Sequence, residues 1–370
     1  MRTRIILSVL AVAALLGCGG SNPAATPTAT PLATRGYNGT ASVGDFLSIT
    51  LDPVGHTLAY SNKSNGDSGT VPYTVNADGT YALNDPTGNL VAAYEVPNYA
   101  LLIQAAKTGP GHNMPALITA VQSSPISIAT WAGHSFNYMQ FRTAAGGLEV
   151  GSANLDALGN IGISSYWPYG AMNNNPSGPF NTGSFDHTRL QNDPSGTFLK
   201  MADIPGPGFD YIFGTPNGVF AVDTTNGAIL GLQKAASKNF DPTWAGAYKA
   251  IYYQKIGAST GVGNVESGTA SLGKGTITIT ASGGVTVQDG QGTQLLTATL
   301  TPVSDAAYLY DGTVNKLQDP CWGLFTFRVI NGGSQQDVFV TFLDRSILFS
   351  SFTSNGVNNP YDYLYGTGLK

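Results

Sequence analysis

Thr130-Trp131-Ala132-Gly133 and Thr243-Trp244-Ala245-Gly246 are one four-residue phrase written twice in a chain of 370 residues. Each leads into an aromatic-rich extended segment, His134 to Phe141 after the first and Ala247 to Tyr253 after the second. A weaker version, Tyr37-Asn38-Gly39, stands earlier. A repeated phrase marks a repeated structural unit, so it bears on architecture before any single residue does. The endings recur as well. Val219-Phe220-Ala221-Val222-Asp223 is followed by Ile229-Leu230, and Val338-Phe339-Val340 leads to Asp344 and then Ile347-Leu348. Openings and endings in the same order predict a duplicated β unit, with a shorter copy headed by Tyr37 before it.

The segments between these landmarks have the period of strands. Phe46-Leu47-Ser48-Ile49-Thr50-Leu51 alternates as a half-buried strand does. Asp52-Pro53-Val54-Gly55, Asp85-Pro86-Thr87-Gly88 and Asp193-Pro194-Ser195-Gly196 put Asp first, Pro second and Gly fourth, the order a type I turn prefers. Those aspartates need no catalytic explanation. Leu117 to Val121 is too short for periodicity to decide between strand and helical turn. In His134 to Phe141 the apolar parity changes partway, as a bulge would make it do. Val338 to Leu343 is apolar on both parities, which predicts a central strand. No segment of the body reads as an amphipathic helix.

Short strands with frequent turns predict an all-β chain of tandem antiparallel meanders, either small barrels or sandwiches, in two or three related units. The expected divisions are 36–125, 126–238 and 239–370. An aromatic-Xaa-Gly opening before an aromatic strand resembles lipocalin-like and avidin-like small β-barrels. In those families the tryptophan closes one end of the barrel, and Trp131 and Trp244 match that role in position. The resemblance therefore implies that Tyr37, Trp131 and Trp244 are structural anchors of their units.

The N-terminus reads as an address. Arg2 and Arg4 precede a predominantly apolar stretch from Ile5 to Leu16, followed by Gly17 and Cys18. That stretch is shorter than the about 20 residues of a membrane-spanning helix and suits a signal-peptide core. Leu15-Leu16-Gly17-Cys18 resembles the bacterial lipoprotein signal, which implies cleavage after residue 17 and lipidation of Cys18. Aspartate after the cysteine retains some members of that class at the inner membrane. Gly19 stands there, which implies the outer membrane or the cell surface. Residues 19–35, rich in Pro, Thr and Ala, cannot build a core and read as a tether, with Cys18 at its head.

Composition excludes some partners. The formal net charge is −5, more negative still once Arg2 and Arg4 leave with the signal, and no basic cluster exists. Nucleic acid would need one. Only 11% of residues are charged, against the usual quarter, so Ser, Thr, Asn and Gln must cover much of the surface. With Cys18 lipidated, Cys321 is the sole thiol, so no internal disulfide can form; its expected role is that of a small buried hydrophobe.

The search for chemistry returns little. His56, His112, His134 and His187 stand apart, in no zinc or iron spacing. The densest acidic neighbourhood, Asp186, Asp193, Asp203 and Asp210 with His187, matches no calcium loop. No cofactor or metal is expected. Gly-Xaa-Ser-Xaa-Gly is absent, and the three glutamates Glu95, Glu149 and Glu266 do not read as a catalytic pair. The remaining signal is aromatic. Tyr166, Trp167, Tyr169 and Phe180 bracket a long Asn-rich excursion and are candidate contacts for a ligand or partner, against the plainer role of capping a core. The sequence thus favours a lipid-anchored envelope or surface protein with a non-catalytic binding or structural role. Its expected partners are the membrane, through the lipid anchor, and a glycan, a small apolar ligand or an envelope protein. Two rivals are a carrier that holds a small apolar ligand in a barrel cavity, and a polysaccharide hydrolase with a carboxylate pair.

Overall fold

The computed structural model describes residues 33–107, 114–141, 149–168, 184–185, 187–202, 208–225, 227–258, 269–306, 319–331, 334–354 and 361–370. Over these the chain is almost wholly β. Helix is confined to one short turn at Ile128–Trp131 and 3-10 turns at His187–Arg189, Pro242–Trp244 and Val303–Asp305.

Barrel 1 consists of β1 (Arg35–Ala41), β2 (Asp45–Asp52), β3 (Thr57–Asn62), β4 (Ser68–Val75), β5 (Tyr81–Leu83), β6 (Leu90–Val96), β7 (Ala100–Ala105) and β8 (Ala116–Gln122). The strands pair in chain order, and β8 returns to β1 to close the barrel, with Gly39 opposite Ala120. Leu117 to Val121 is thereby a strand. Turn chemistry works as the sequence demands: Asp85 accepts from the backbone N–H of Thr87 and of Leu90 at 2.9 and 2.8 Å. Gly88 takes φ +70, where a side chain would be strained.

Lobe 2 is a nine-stranded sheet of β9 (Ser135–Phe141), β10 (Glu149–Leu155), β11 (Ile161–Pro168), β12 (Ser184–Phe185), β13 (Gln191–Asn192), β14 (Leu199–Ala202), β15 (Phe209–Thr215), β16 (Val219–Thr224) and β17 (Gly227–Gln233). Lobe 3 is built alike from β18 (Gly246–Ala258), β19 (Thr269–Ile279), β20 (Gly284–Asp289), β21 (Gln294–Thr299), β22 (Thr301–Pro302), β23 (Leu324–Asn331), β24 (Ser334–Leu343), β25 (Ser346–Ser354) and β26 (Tyr361–Leu369). In all three the first strand pairs with both the second and the last. Barrel 1 closes fully; among the described residues no ladder joins β12 to β13 or β21 to β22, so lobes 2 and 3 are half-barrels. All three are antiparallel meanders of one topology, and the fold is all-β.

The largest apolar cluster lies between the lobes. It gathers outward side chains of barrel 1 (Phe46, Leu102), of lobe 2 (Phe141, Phe213) and of lobe 3 (Phe339, Tyr365). Phe46 stacks on Tyr211 with ring centroids 4.7 Å apart. Residues 33–370 form one compact body. This shared core corrects the bulge expected in the segment 134–141. The β9 ladders to β10 and β17 run without a register break along β9. Its apolar parity changes because both faces are buried: Phe136 packs inside lobe 2, and Met139 and Phe141 pack outward into the shared core. The irregularity lies on the β10–β11 ladder, at Ser152/Ala153. β24 is likewise buried on both faces, between β23 and β25.

Polar contacts fix the lobes to one another. Asp319 accepts from Ser164 at 2.7 Å and Ser152 at 3.2 Å, and pairs with Lys234, so the segment before β23 is held on the outer face of lobe 2. Burial raises the Asp319 carboxyl, and the bonds from Lys234, Cys321 N–H and Ser164 outweigh it and leave it below its ordinary value. Next to it, Cys321 is buried in the shared core at φ +49.

Candidate functional site: an apolar cup in the third lobe

Lobe 3 encloses a cavity of about 250 Å³. Glycine spacing creates it. On β26, Leu364, Gly366 and Gly368 share the inward parity, and on β19 so do Gly273, Gly275 and Ile277. Two of these glycines are covered by aromatic rings from the neighbouring strand. A Cβ on Gly366 would come within 2.4 Å of the Phe349 ring, and one on Gly273 within 2.0 Å of the Tyr252 ring. Gly366 is the cross-strand partner of Phe349, and Gly273 that of Tyr252. Both rings therefore lie over the adjacent strand, and the middle of the half-barrel is left unfilled.

One end is plugged. Trp244 stacks on Phe342, centroids 5.4 Å apart and planes 11° from parallel, with Phe240 and Phe325 edge-on to both. Above this plug the wall is Ile279, Val285, Ile347, Val340 and Ile277, and the polar side chains Gln254, Gln288 and Gln336 lie nearer the opposite end. No described lining residue is Asp, Glu, Lys, Arg or His. The one titratable lining group is the Tyr252 phenol, pushed up by burial and by the nearby Asp289 carboxylate, so it stays neutral through the physiological range. Such a lining can bury an apolar molecule and offer it neutral hydrogen bonds.

Other hollows lie among the described residues. A groove of about 380 Å³ between barrel 1 and lobe 2 is lined by Tyr37, Lys63, Asp193, Lys200, Phe209 and Tyr211 among others, and Asp193 is the only carboxylate among its described lining residues. A hollow of about 40 Å³ in barrel 1 carries Asp45 and Asp67. It has room for roughly three waters and none for a sugar ring. Among the described residues no cluster of three or more metal-ligating side chains occurs.

The residues singled out in the sequence fall in different places. Trp131 ends its helical turn buried in lobe 2, edge-on to Phe220 at 5.3 Å. Trp244 ends a 3-10 turn and forms part of the cup's plug. Tyr37 differs, because it lies within β1 rather than before it. It donates a hydrogen bond to the buried Glu95. Tyr166 and Trp167 sit on β11 opposite Gly151 and Val150; Tyr169, Phe180 and Cys18 lie outside the described residues. Glu149 accepts from Tyr138, and Glu266 lies outside the described residues. His187 Nδ1 is 2.7 Å from Asn160 Oδ1, and Asp193 caps its turn by accepting from the N–H of Ser195 at 2.9 Å.

Sequence reasoning allowed for an apolar barrel cavity as a rival reading without placing it in the third lobe, and it missed the polar centre of barrel 1. In barrel 1, Arg35 grips Glu95 with Nε–Oε1 at 2.6 Å and Nη2–Oε2 at 2.7 Å, and Tyr81 adds a bond at 2.7 Å. Burial raises the Glu95 carboxyl, and the bonds from Arg35, Tyr37 and Tyr81 outweigh it and hold it below its ordinary value. The signal for the cup was present in Tyr365-Gly366-Thr367-Gly368, where alternate glycines remove side chains from one face.

No family model matches the chain, and no curated protein does. Among solved structures it is similar to a double mutant of the vaccine antigen transferrin binding protein B from Haemophilus parasuis Hp5, at 7% identity and TM-score 0.24. That match covers 91% of this chain and 76% of the other. A single mutant of the same antigen matches at 7% identity and TM-score 0.22, over 88% of this chain and 66% of that one. A DNA polymerase sliding clamp from Caulobacter crescentus matches at 8% identity and TM-score 0.13, over 94% of each chain. Scores this low say nothing of what the chain binds, and the all-β assignment stands on the strand pairing itself.

Proposed function

We propose that this chain is a lipid-anchored envelope protein, at the outer membrane or cell surface, that binds a small apolar ligand in its third lobe without turning it over. The observation that carries the binding role is the cup: an unfilled, aliphatic and aromatic cavity with no carboxylate, amine, guanidinium or imidazole among its described lining residues. Its volume exceeds the about 150 Å³ at which an apolar cavity already takes up benzene. Support for the anchor is the Leu15-Leu16-Gly17-Cys18 phrase and the Pro/Thr/Ala tether after it. The reading divides the body into three tandem domains near residues 125 and 238, with Trp131 and Trp244 as buried anchors.

Titration of the mature chain with N-phenyl-1-naphthylamine tests the binding role. Saturable, one-to-one enhancement of fluorescence is expected, and Val340→Trp, which fills the cup above the plug, should abolish it. Enhancement that never saturates, or that survives Val340→Trp, would place the probe elsewhere and overturn the assignment. The anchor is tested by growing cells on an alkynyl fatty acid: the chain should carry label and fractionate with membranes, and Cys18→Ala should lose both.

A further inference from the structure

Ser351, on β25, is an uncommon residue for the place it holds. It lies on the inward parity with Ile347 and Phe349 and lines the cup. It is 1% exposed, and its hydroxyl has no hydrogen-bond partner among the described residues. Buried hydroxyls in folded proteins are nearly always paired, so one that is not requires an explanation. Its cross-strand partners are Val338 and Leu364, whose side chains offer nothing to bond. A lone water would need two to four polar partners to be held there.

Ser351 also divides the cup. Towards the Trp244 plug the lining is hydrocarbon: Ile347, Phe349, Val340, Ile279 and Val285. At its level and beyond, Gln254 faces in from β18, next to Leu364 in register, and Gln336 from β24. Every polar group in this gradient is neutral. Lys274 and Lys249 belong to β19 and β18, on the opposite parity from the lining residues Gly275 and Ala250. A carboxylate brought into the cup would lose its hydration and meet no described cation.

We propose that the cup's ligand is a neutral amphiphile with one short apolar chain and an uncharged hydroxyl or carbonyl head. Its chain lies against the hydrocarbon floor, and its head exchanges a hydrogen bond with Ser351 Oγ, with Gln254 and Gln336 on the side away from the plug. This rests on the cup being a binding site, and it narrows that reading from apolar ligands in general to uncharged, singly polar ones.

Displacement of N-phenyl-1-naphthylamine from the full mature chain by 1-decanol and by decanoate, at pH 8, tests it. The probe's own affinity is measured on wild type and on Ser351→Ala, and each displacement is referred to it. Decanol should displace it at lower concentration than decanoate does. Ser351→Ala should weaken decanol by roughly three- to tenfold, the worth of one neutral hydrogen bond, and leave decanoate unchanged. Ser350→Ala is the control, since Ser350 is an equally buried hydroxyl on the opposite parity of the same strand, away from the cup. It should change nothing. Decanoate matching decanol, or decanol indifferent to Ser351→Ala, would overturn the neutral-amphiphile assignment while the probe still reports a functioning cup. Failure of the probe to bind at all would remove the binding role itself, and this inference with it.

Discussion

Phe141, on the first strand of lobe 2, stacks on Tyr365, on the last strand of lobe 3, with ring centroids 4.5 Å apart and planes 17° from parallel. Tyr253 continues the stack, 5.1 Å from Tyr365. These rings stand on the outer faces of their lobes, which in an isolated barrel would meet water. Here they form the centre of the molecule, so the lobes depend on one another. Phe141→Ala removes a fully buried ring and should cost about 3–5 kcal/mol. Denaturation followed by Trp131 and Trp244 emission should be a single transition in the wild type. In the variant the transitions of lobes 2 and 3 should separate. Two well-separated transitions in the wild type would show that the shared core does not couple the lobes.

The Arg35–Glu95 pair sits inside barrel 1, with side chains 7% and 0% exposed. Breaking such a pair leaves a buried charge alone, so Glu95→Gln should destabilise barrel 1 by about 3–5 kcal/mol. The pH dependence follows from the depressed carboxyl. A group whose folded pKa lies below its unfolded value contributes stability that is present above the unfolded value of 4.5 and is lost as pH falls through the folded one. Urea midpoints should therefore drop on acidification below about 4.5 in wild type and drop less in Glu95→Gln.

Asp223 has the opposite sign. It is 1% exposed on β16, bonded to Thr40 on β1 and, at 3.4 Å, to Ser64. Burial raises its carboxyl well above 3.8; the Thr40 bond offsets this in part, and Asp45 and Asp210 add to the rise. A group with a raised folded pKa contributes stability that is complete below the unfolded value and is lost as pH rises through the folded one. The contact of barrel 1 with lobe 2 should weaken as pH climbs from about 3.8. Asp223→Asn should flatten that slope and raise stability at pH 8, by hydrogen exchange of β1 and β16 amides.

Ser351 places a cost on the empty protein. Removing a buried hydroxyl that bonds to nothing should stabilise, so Ser351→Ala should raise the unfolding free energy by up to about 1–3 kcal/mol in calorimetry without ligand. An unchanged or lowered melting temperature would mean that the hydroxyl is already paired.

Much of the architecture was written in the chain's local chemistry. The repeated Thr-Trp-Ala-Gly phrase, the Asp-Pro-Xaa-Gly turns and the short alternating segments specify antiparallel meanders because strand period and turn preference act over a few residues. The cup was only half legible. Gly366 and Gly368 remove side chains from one face of β26, but that Gly273 and Gly275 stand on the same inner face of the lobe depends on β26 and β19 both pairing with β18, across a gap in sequence that no local pattern spans.

What the sequence by itself determined is therefore the class of fold and the repetition of its openings and endings. The tertiary structure decided which lobe closes and which remains a half-barrel, and it placed the outer faces in a shared core. That is why Phe141 and Tyr365 are interior residues although each lies on the outward side of its own sheet. Period-two alternation tells the two faces of a strand apart, but it cannot say that a third body will cover the second face. The same limit applies to Thr-Trp-Ala-Gly. Its second tryptophan supports the floor of an unfilled cup, and the reason is the pairing of aromatic rings with glycines on the adjacent strands.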